Sequence, residues 1–243
     1  MSSADQENIP FLTPPSGGWG VRLTLTNAGK RFNREWIFRH LTYHFETGKS
    51  YAITGPNGSG KSTLLQVIAG SMQLSEGSLE YQNTEQETGI RKQGTRYREQ
   101  ETGNRESENI YQSLSIAAPY LELIEEMTAL EFLHFHNRFK PFIINVSIAE
   151  ILSIIGLDKA ANKQIRYYSS GMKQRLKLAQ AVFSDVPVLL LDEPCTNLDS
   201  AGYGLYHSLI TNYCRNKLII VSSNDAAEID FCGERLNIID FKF

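Results

Sequence analysis

The run GPNGSGKST at residues 55–63 brings three glycines, a lysine and three hydroxyls into nine positions. Gly55, Gly58 and Gly60 let a backbone turn tightly, so that successive N–H groups point inward at an anion. Lys61 supplies a cation that reaches phosphate oxygens, and Ser62 a hydroxyl able to ligate Mg2+. The run fits G-x-x-x-x-G-K-[ST], the pattern of a phosphate cradle, with Asn57, Ser59 and Thr63 as its other polar members.

Two further stretches carry chemistry. VLLLDE at 188–193 is an apolar strand ending in two acids. Asp192 at such a strand end can hold Mg2+, and Glu193 after it is placed to polarise an attacking water. The sequence has no N-K-x-D guanine reader, and a kinase whose substrate hydroxyl replaces the water rarely needs an Asp-Glu pair, so ATP hydrolysis leads. YSSGMKQR at 168–175 opens a helix whose first turn offers N–H groups and the Ser169 and Ser170 hydroxyls to an anion. Either serine, taken alone, also reads as an ordinary helix N-cap.

The elements that must position these residues are legible around them. TGKSYAITG places a strand before the glycine loop, and KSTLLQVIAG a helix after it, with Gly70 as its stop. VRLTLTN alternates as a half-buried strand does, and VPVLLLDEP, KLIIVSSND and RLNIIDFKF read as further strands. LELIEEMTALEFLHFHNRF and SIAEILSIIGL have helical spacing, so a helical subdomain is expected over about 120–166. Short apolar strands alternating with helices predict an α/β protein of the P-loop NTPase type. Its central sheet is mostly parallel, with an N-terminal antiparallel β part and the helical subdomain inserted.

Residues 1–19 read as a flexible arm and 20–243 as one domain. Within it, 82–109 are almost wholly polar, and EQETG at 85–89 recurs at 99–103. Such a segment buries too little to offset its ordering, which predicts a mobile insertion grown by local duplication, with a charged docking surface as the alternative.

The bulk composition narrows the class. The 243 residues are 41% hydrophobic and 21% charged, with net charge −3, which argues against a nucleic-acid partner. Cys195, Cys214 and Cys232 form no CxxC pair and read as reduced thiols. No apolar run is long enough for a membrane span and the N-terminus has no signal pattern, so a cytoplasmic location is expected. His134 and His136 lack a third ligand and read as helix-surface residues rather than a metal pair.

Taken in order, GPNGSGKST, YSSGMKQR, VLLLDEP and TNLD resemble the ATP-binding cassette (ABC) ATPases over about residues 21–240. The resemblance implies ATP and Mg2+ as ligands, Asp192 as the magnesium carboxylate and Glu193 as the catalytic base. It implies that Ser169, Ser170 and Gly171 form the signature that meets a nucleotide held by an opposite subunit. Leu198 and Asp199 match the loop that communicates between sites. Phe32 matches the aromatic that stacks on adenine, with Trp36 and a core role for Phe32 as the alternatives.

Three positions depart from the pattern. Ser170 stands where the family has glycine. Pro119 falls where it has a glutamine that serves Mg2+ and water, leaving Tyr120 or Glu122 as substitutes. Asn224 replaces a histidine that contacts the γ-phosphate; its amide donates a hydrogen bond but carries no charge, a loss of about 1–3 kcal/mol in transition-state stabilisation. A slow but competent ATPase is expected.

The resemblance further implies a transporter subunit on the cytoplasmic face of a membrane. It would pair with a second cassette, as a homo- or heterodimer, and with an integral membrane subunit whose helix enters a groove beside 119–128. The alternatives are a weakly hydrolysing regulatory subunit and, less favoured, a soluble non-transport ABC protein. The cargo and its direction are not written in these residues.

Overall fold

The structure, a computed structural model, describes residues 19–85 and 107–242. Strands β1 (Trp19–Phe32), β2 (Glu35–Glu46), β3 (Ser50–Thr54) and β4 (Glu76–Glu85) bracket helix α1 (Lys61–Ile68). Helix α2 (Ser107–Ser113) then leads into β5 (Leu114–Ala117). Helices α3 (Ala129–Phe139), α4 (Ile148–Ile154) and α5 (Ser170–Phe183) precede β6 (Val188–Asp192). Helix α6 (Ser200–Tyr213), β7 (Leu218–Ser222), α7 (Ala226–Ile229) and β8 (Glu234–Asn237) complete the chain.

The strands form two sheets. One is antiparallel in the order β2-β1-β4, and the other runs β5-β6-β7-β3-β8 with every pair parallel. Strand alternation divides the parallel sheet between two cores, because successive side chains leave on opposite faces. Val188, Leu190, Leu218, Ile220, Tyr51 and Ile53 face α1 and the antiparallel sheet. Leu189, Leu191, Ile219, Val221 and Ala52 face the core built by α3, α4, α5 and α6. A sheet buried on both faces explains why its strands read as unbroken apolar runs.

Three boundaries differ from expectation. LELIEEM is not helical: α3 begins only at Ala129, behind a capping box of Thr128 and Glu131. The preceding backbone is drawn into tertiary pairing instead, with Ile165 N–H donating to Met127 O at 2.9 Å and Arg166 N–H to Glu125 O at 3.0 Å. Strand β1 already starts at Trp19, paired with Glu85, so β4 carries the sheet four residues into the polar segment. At its other end, 107–109 belong to α2. The arm up to residue 18 and the rest of that segment, 86–106, lie outside the described residues.

Candidate functional site: a phosphate loop at the carboxyl edge of the parallel sheet

Parallel strands deliver their carboxyl ends to one edge, and the chemistry collects there. Ile53 on β3 is in register with Ser222 on β7, and Ser222 with Asp192 on β6. One row across three strands, about 10 Å wide, thus joins the loop entry to the acids. Helix α1 packs against β6 and β7, which brings its first turn, with Lys61 and Ser62, over the same row.

The loop needs its glycines for different reasons. Gly58 has φ 73°, a left-handed conformation, yet a Cβ there would meet nothing within 4 Å. Gly60, the N-cap of α1, has φ 105° and would place a Cβ 2.2 Å from Ile37 Cγ2. Close packing of β2 on the loop therefore excludes a side chain there, whatever its conformation. Lys61 is buried and lies back along the loop, its Nζ donating to Gly55 O at 2.8 Å and Pro56 O at 3.3 Å.

Asn224 is tied to the loop at both ends of its amide. Its Oδ1 accepts from Gly55 N–H at 3.1 Å, which identifies the oxygen. Its Nδ2 therefore faces Asn57 Oδ1 and donates to it at 3.2 Å. In this structure Asn224 braces the loop rather than standing apart as a charged group.

Asp192 is 2% exposed, and its Oδ1 has no hydrogen-bond partner, as is also true of the buried Ser59 and Ser222 hydroxyls. A buried carboxylate oxygen left bare costs several kcal/mol unless something pairs with it. Bare hard oxygen donors at the end of β6, with the Ser62 hydroxyl at the start of α1, fit a Mg2+ site. Glu193 follows with φ 43°, strained for a residue with a Cβ, and its N–H donates to Ser222 O at 2.9 Å. Tertiary bonds thus hold an acid in a conformation it would not adopt alone.

The turn after Glu193 is clamped from two sides. Gln174 Nε2 on α5 donates to Pro194 O at 2.6 Å, and Cys195 N–H donates to Glu228 Oε1 at 2.7 Å. Burial pushes the Glu228 carboxyl above the usual range, and bonds from Ser223 and Cys195 partly oppose it. Neither Gln174 nor Glu228 stood out in the sequence, because their partners lie 20 and 33 residues away. The only local signals were polar residues in otherwise buried runs.

The signature begins α5. Ser169 is its N-cap, its Oγ accepting from Met172 N–H at 3.2 Å, and Ser170 is the first helical residue, exposed. A Cβ on Gly171 would stand 3.1 Å from Asn197 O, so the small residue lets α5 approach the turn that leads to Leu198 and Asp199. Asp199 caps α6 by accepting from Gly202 N–H at 2.9 Å.

At the β1–β2 hairpin, Phe32 is 45% exposed with Lys30 over its ring. Trp36 has both Arg31 and Arg39 against it, at 5.5 and 4.5 Å. Both aromatic rings of the hairpin thus carry a cation of the chain itself.

Residues 118–122 separate the two substitutes considered for Pro119. Lys177 Nζ on α5 donates to Pro119 O at 3.1 Å and lies within reach of the Glu122 charge. Tyr120 is exposed and is not bonded to Lys177, and its phenol feels the Asp192 charge. Burial first, and Asp192 second, push this phenol up to about 12, so it keeps its proton.

His136 corrects the helix-surface reading: it is half-buried and bonded to Ser184 Oγ at 2.9 Å, whereas His134 is exposed. Among the described residues no cluster of His, Cys, Asp or Glu has the makings of a separate metal site, and no helix is long and apolar enough to cross a membrane. The three cysteines are free thiols.

Comparison with known proteins agrees with this geometry. The profile of the family described as "ABC transporter" matches residues 38–196. An uncharacterized ABC transporter ATP-binding protein of Bacillus subtilis, YybJ, is 26% identical over 208 residues, covering 85% of this chain and 87% of that protein. The cytochrome c biogenesis ATP-binding export protein CcmA of Xylella fastidiosa is 32% identical, covering 72% of this chain and 70% of that one. Among solved structures, the bacterial ABC transporter cassette MJ0796 superposes with a TM-score of 0.70 at 24% identity, over 89% of this chain and 94% of that one. That cassette was solved as a dimer, and in a post-hydrolysis state with ADP and Pi.

Proposed function

The chain belongs to the ABC transporter family of ATP-binding subunits, and from that premise we propose that it binds and slowly hydrolyses ATP to drive a membrane transporter. The observation that carries this reading is the bare, buried Asp192 Oδ1 in line with the phosphate loop.

In this reading Lys61 and the inward N–H groups of 57–63 hold the phosphates, and Phe32 stacks on adenine. Ser62 and Asp192 hold Mg2+, which when bound neutralises charge on the transferring phosphoryl group. Glu193, fixed by Ser222 and by the clamped turn behind it, orients and deprotonates the attacking water. Asn224 keeps the loop in place and has no charge to lend to the γ-phosphate, which underlies the slow rate. Ser169, Ser170 and Gly171 close over the nucleotide of a second cassette, and Leu198-Asp199 lies between the two sites. ATP then joins the cassettes and its hydrolysis parts them, a two-state pairing that an integral membrane subunit on the cytoplasmic side converts to transport.

A second reading, a regulatory cassette that scarcely hydrolyses, draws on Asn224 being committed to Gly55 and Asn57. Turnover of the purified chain separates the two. Glu193→Gln is expected to slow hydrolysis by about a hundred-fold while ATP binding persists. Equal rates in wild type and variant would sink the catalytic reading and leave the regulatory one. Recovery from detergent-solubilised membranes with an integral partner supports transport, whereas recovery only with ribosomes or DNA overturns it.

A further inference from the structure

Asn224 holds the phosphate loop by two bonds near the long end of the usual range, at 3.1 Å from Gly55 N–H and 3.2 Å to Asn57 Oδ1. A shift of about half an ångström would break either one. Asn224 is exposed and lies just past the end of β7, so its own position has to be fixed from both sides. On one side the sheet does this: Ser223 is buried, and its N–H donates to Ile53 O on β3 at 3.2 Å. On the other side the task falls to Asp225.

Two bonds of Asp225 are local. Its N–H donates to Ser223 Oγ at 2.9 Å, and its Oδ1 accepts from Ala227 N–H at 2.9 Å as the N-cap of α7. These bonds shape the turn but would travel with it. A third comes from another element, where the Tyr203 hydroxyl on α6 donates to Asp225 Oδ2 at 2.6 Å. That length is typical of a hydroxyl on a charged carboxylate, a bond roughly twice as strong as a neutral one. Tyr203 is half-buried, and its N–H donates to Asp199 O at 3.0 Å in the first turn of α6. One turn further on, the Tyr206 hydroxyl donates to Glu228 O at 2.9 Å, and both of these residues are buried. The buried bond seats α7 on α6, whereas the half-buried one acts on the residue beside Asn224.

We propose that Tyr203 is a positioning residue, which through Asp225 sets the grip of Asn224 on the phosphate loop. The proposal deepens the nucleotide reading given above and rests on it. Tyr203 acts only through the turn: its hydroxyl fixes Asp225, Asp225 fixes the backbone of Asn224, and the Asn224 amide then reaches Gly55 and Asn57.

Trinitrophenyl-ATP affinity of the full chain, measured with Mg2+ over a double-mutant cycle, tests this. Asn224→Ala is expected to weaken probe binding about five- to ten-fold through the loss of its loop bonds. Tyr203→Phe keeps the ring, removes the hydroxyl and should weaken binding about three- to five-fold. The double variant should bind no more weakly than Asn224→Ala alone, because the two residues act in series. Amide hydrogen exchange gives the direct signature. Tyr203→Phe should speed exchange at Gly55, whose N–H Asn224 holds, by about ten-fold and leave α6 unchanged. Tyr206→Phe, by contrast, should lower the melting temperature and leave Gly55 exchange and probe affinity near wild type.

A Tyr203→Phe chain with wild-type affinity and wild-type Gly55 exchange overturns the proposal and leaves the nucleotide reading standing. Losses that multiply in the double variant overturn it as well, since Tyr203 then works independently of Asn224. So does a Tyr203→Phe chain that fails to fold, because the Tyr206 bond is held to seat α7 without it. A wild-type chain that binds no probe overturns both readings.

Discussion

The carboxyl edge of the parallel sheet and the helical layer beneath it treat buried polar groups in opposite ways. At the edge, Asp192 Oδ1, Ser59 Oγ and Ser222 Oγ are buried and unpaired. In the layer, Ser115 Oγ donates to Ala181 O at 2.7 Å, and Lys217 Nζ to Val182 O at 2.8 Å and Ser184 O at 2.6 Å. His136, Ser184 and Gln180 form a closed chain: Ser184 spends its one proton on Gln180 O at 2.6 Å, so His136 Nε2–H must donate to Ser184. Saturated groups hold α5 to its neighbours and add stability. Bare ones cost stability and are worth keeping only where a ligand completes them. Of the four bare buried side-chain groups among the described residues, three lie at this edge and the fourth is the Tyr81 hydroxyl on β4.

The comparison is broken most directly at Lys61. Lys61→Ala is expected to weaken ATP binding by a hundred-fold or more, about 2.7 kcal/mol, with the melting temperature nearly unchanged. A variant that unfolds instead would show the edge to be as structural as the layer.

The layer has its own signature in pH. Burial, helped by the nearby Lys140 charge, lowers the His136 imidazole from 6.5 to about 4. Between those values the unfolded chain binds a proton that the folded chain refuses, so stability falls as pH drops from 6.5 toward 4. The loss is about 2 kcal/mol once partial solvent screening is allowed for. Denaturant unfolding of wild type and His136→Gln over this window checks it; the variant's stability should change less with pH.

The smallest effect sharpens the comparison at a helix end. Ser147 caps α4 by accepting from Glu150 N–H at 3.2 Å, and Glu150 returns the bond to Ser147 N–H at 2.7 Å. Ser147→Ala should cost about 1 kcal/mol of unfolding free energy and leave nucleotide binding untouched. Ser169 makes the same kind of cap at the signature. Ser169→Ala should therefore cost a similar amount in the isolated chain, and more in turnover than in stability once cassettes pair.

What the sequence disclosed follows the range of each interaction. The phosphate loop, the Asp192-Glu193 pair and the strands were legible because glycine spacing and two-residue alternation are local patterns. Residues 121–127 misled because their helical spacing is real, but backbone bonds to 165–166 outweigh it. Glu228 and Gln174 stayed silent because each works on a residue brought near only by the fold. The hold of Asn224 on Gly55 and Asn57 could not be read from a single strand end.

Lys61 carries a last consequence. Its ammonium rests on Gly55 O and Pro56 O inside the loop, with two of its three hydrogens engaged. A free lysine side chain has about 2 kcal/mol of rotamer entropy to lose on being fixed. Here that freedom is surrendered when the chain folds, once in the protein's lifetime. A machine that loads and empties the same cradle over and over thereby keeps the ordering of its central cation out of every cycle.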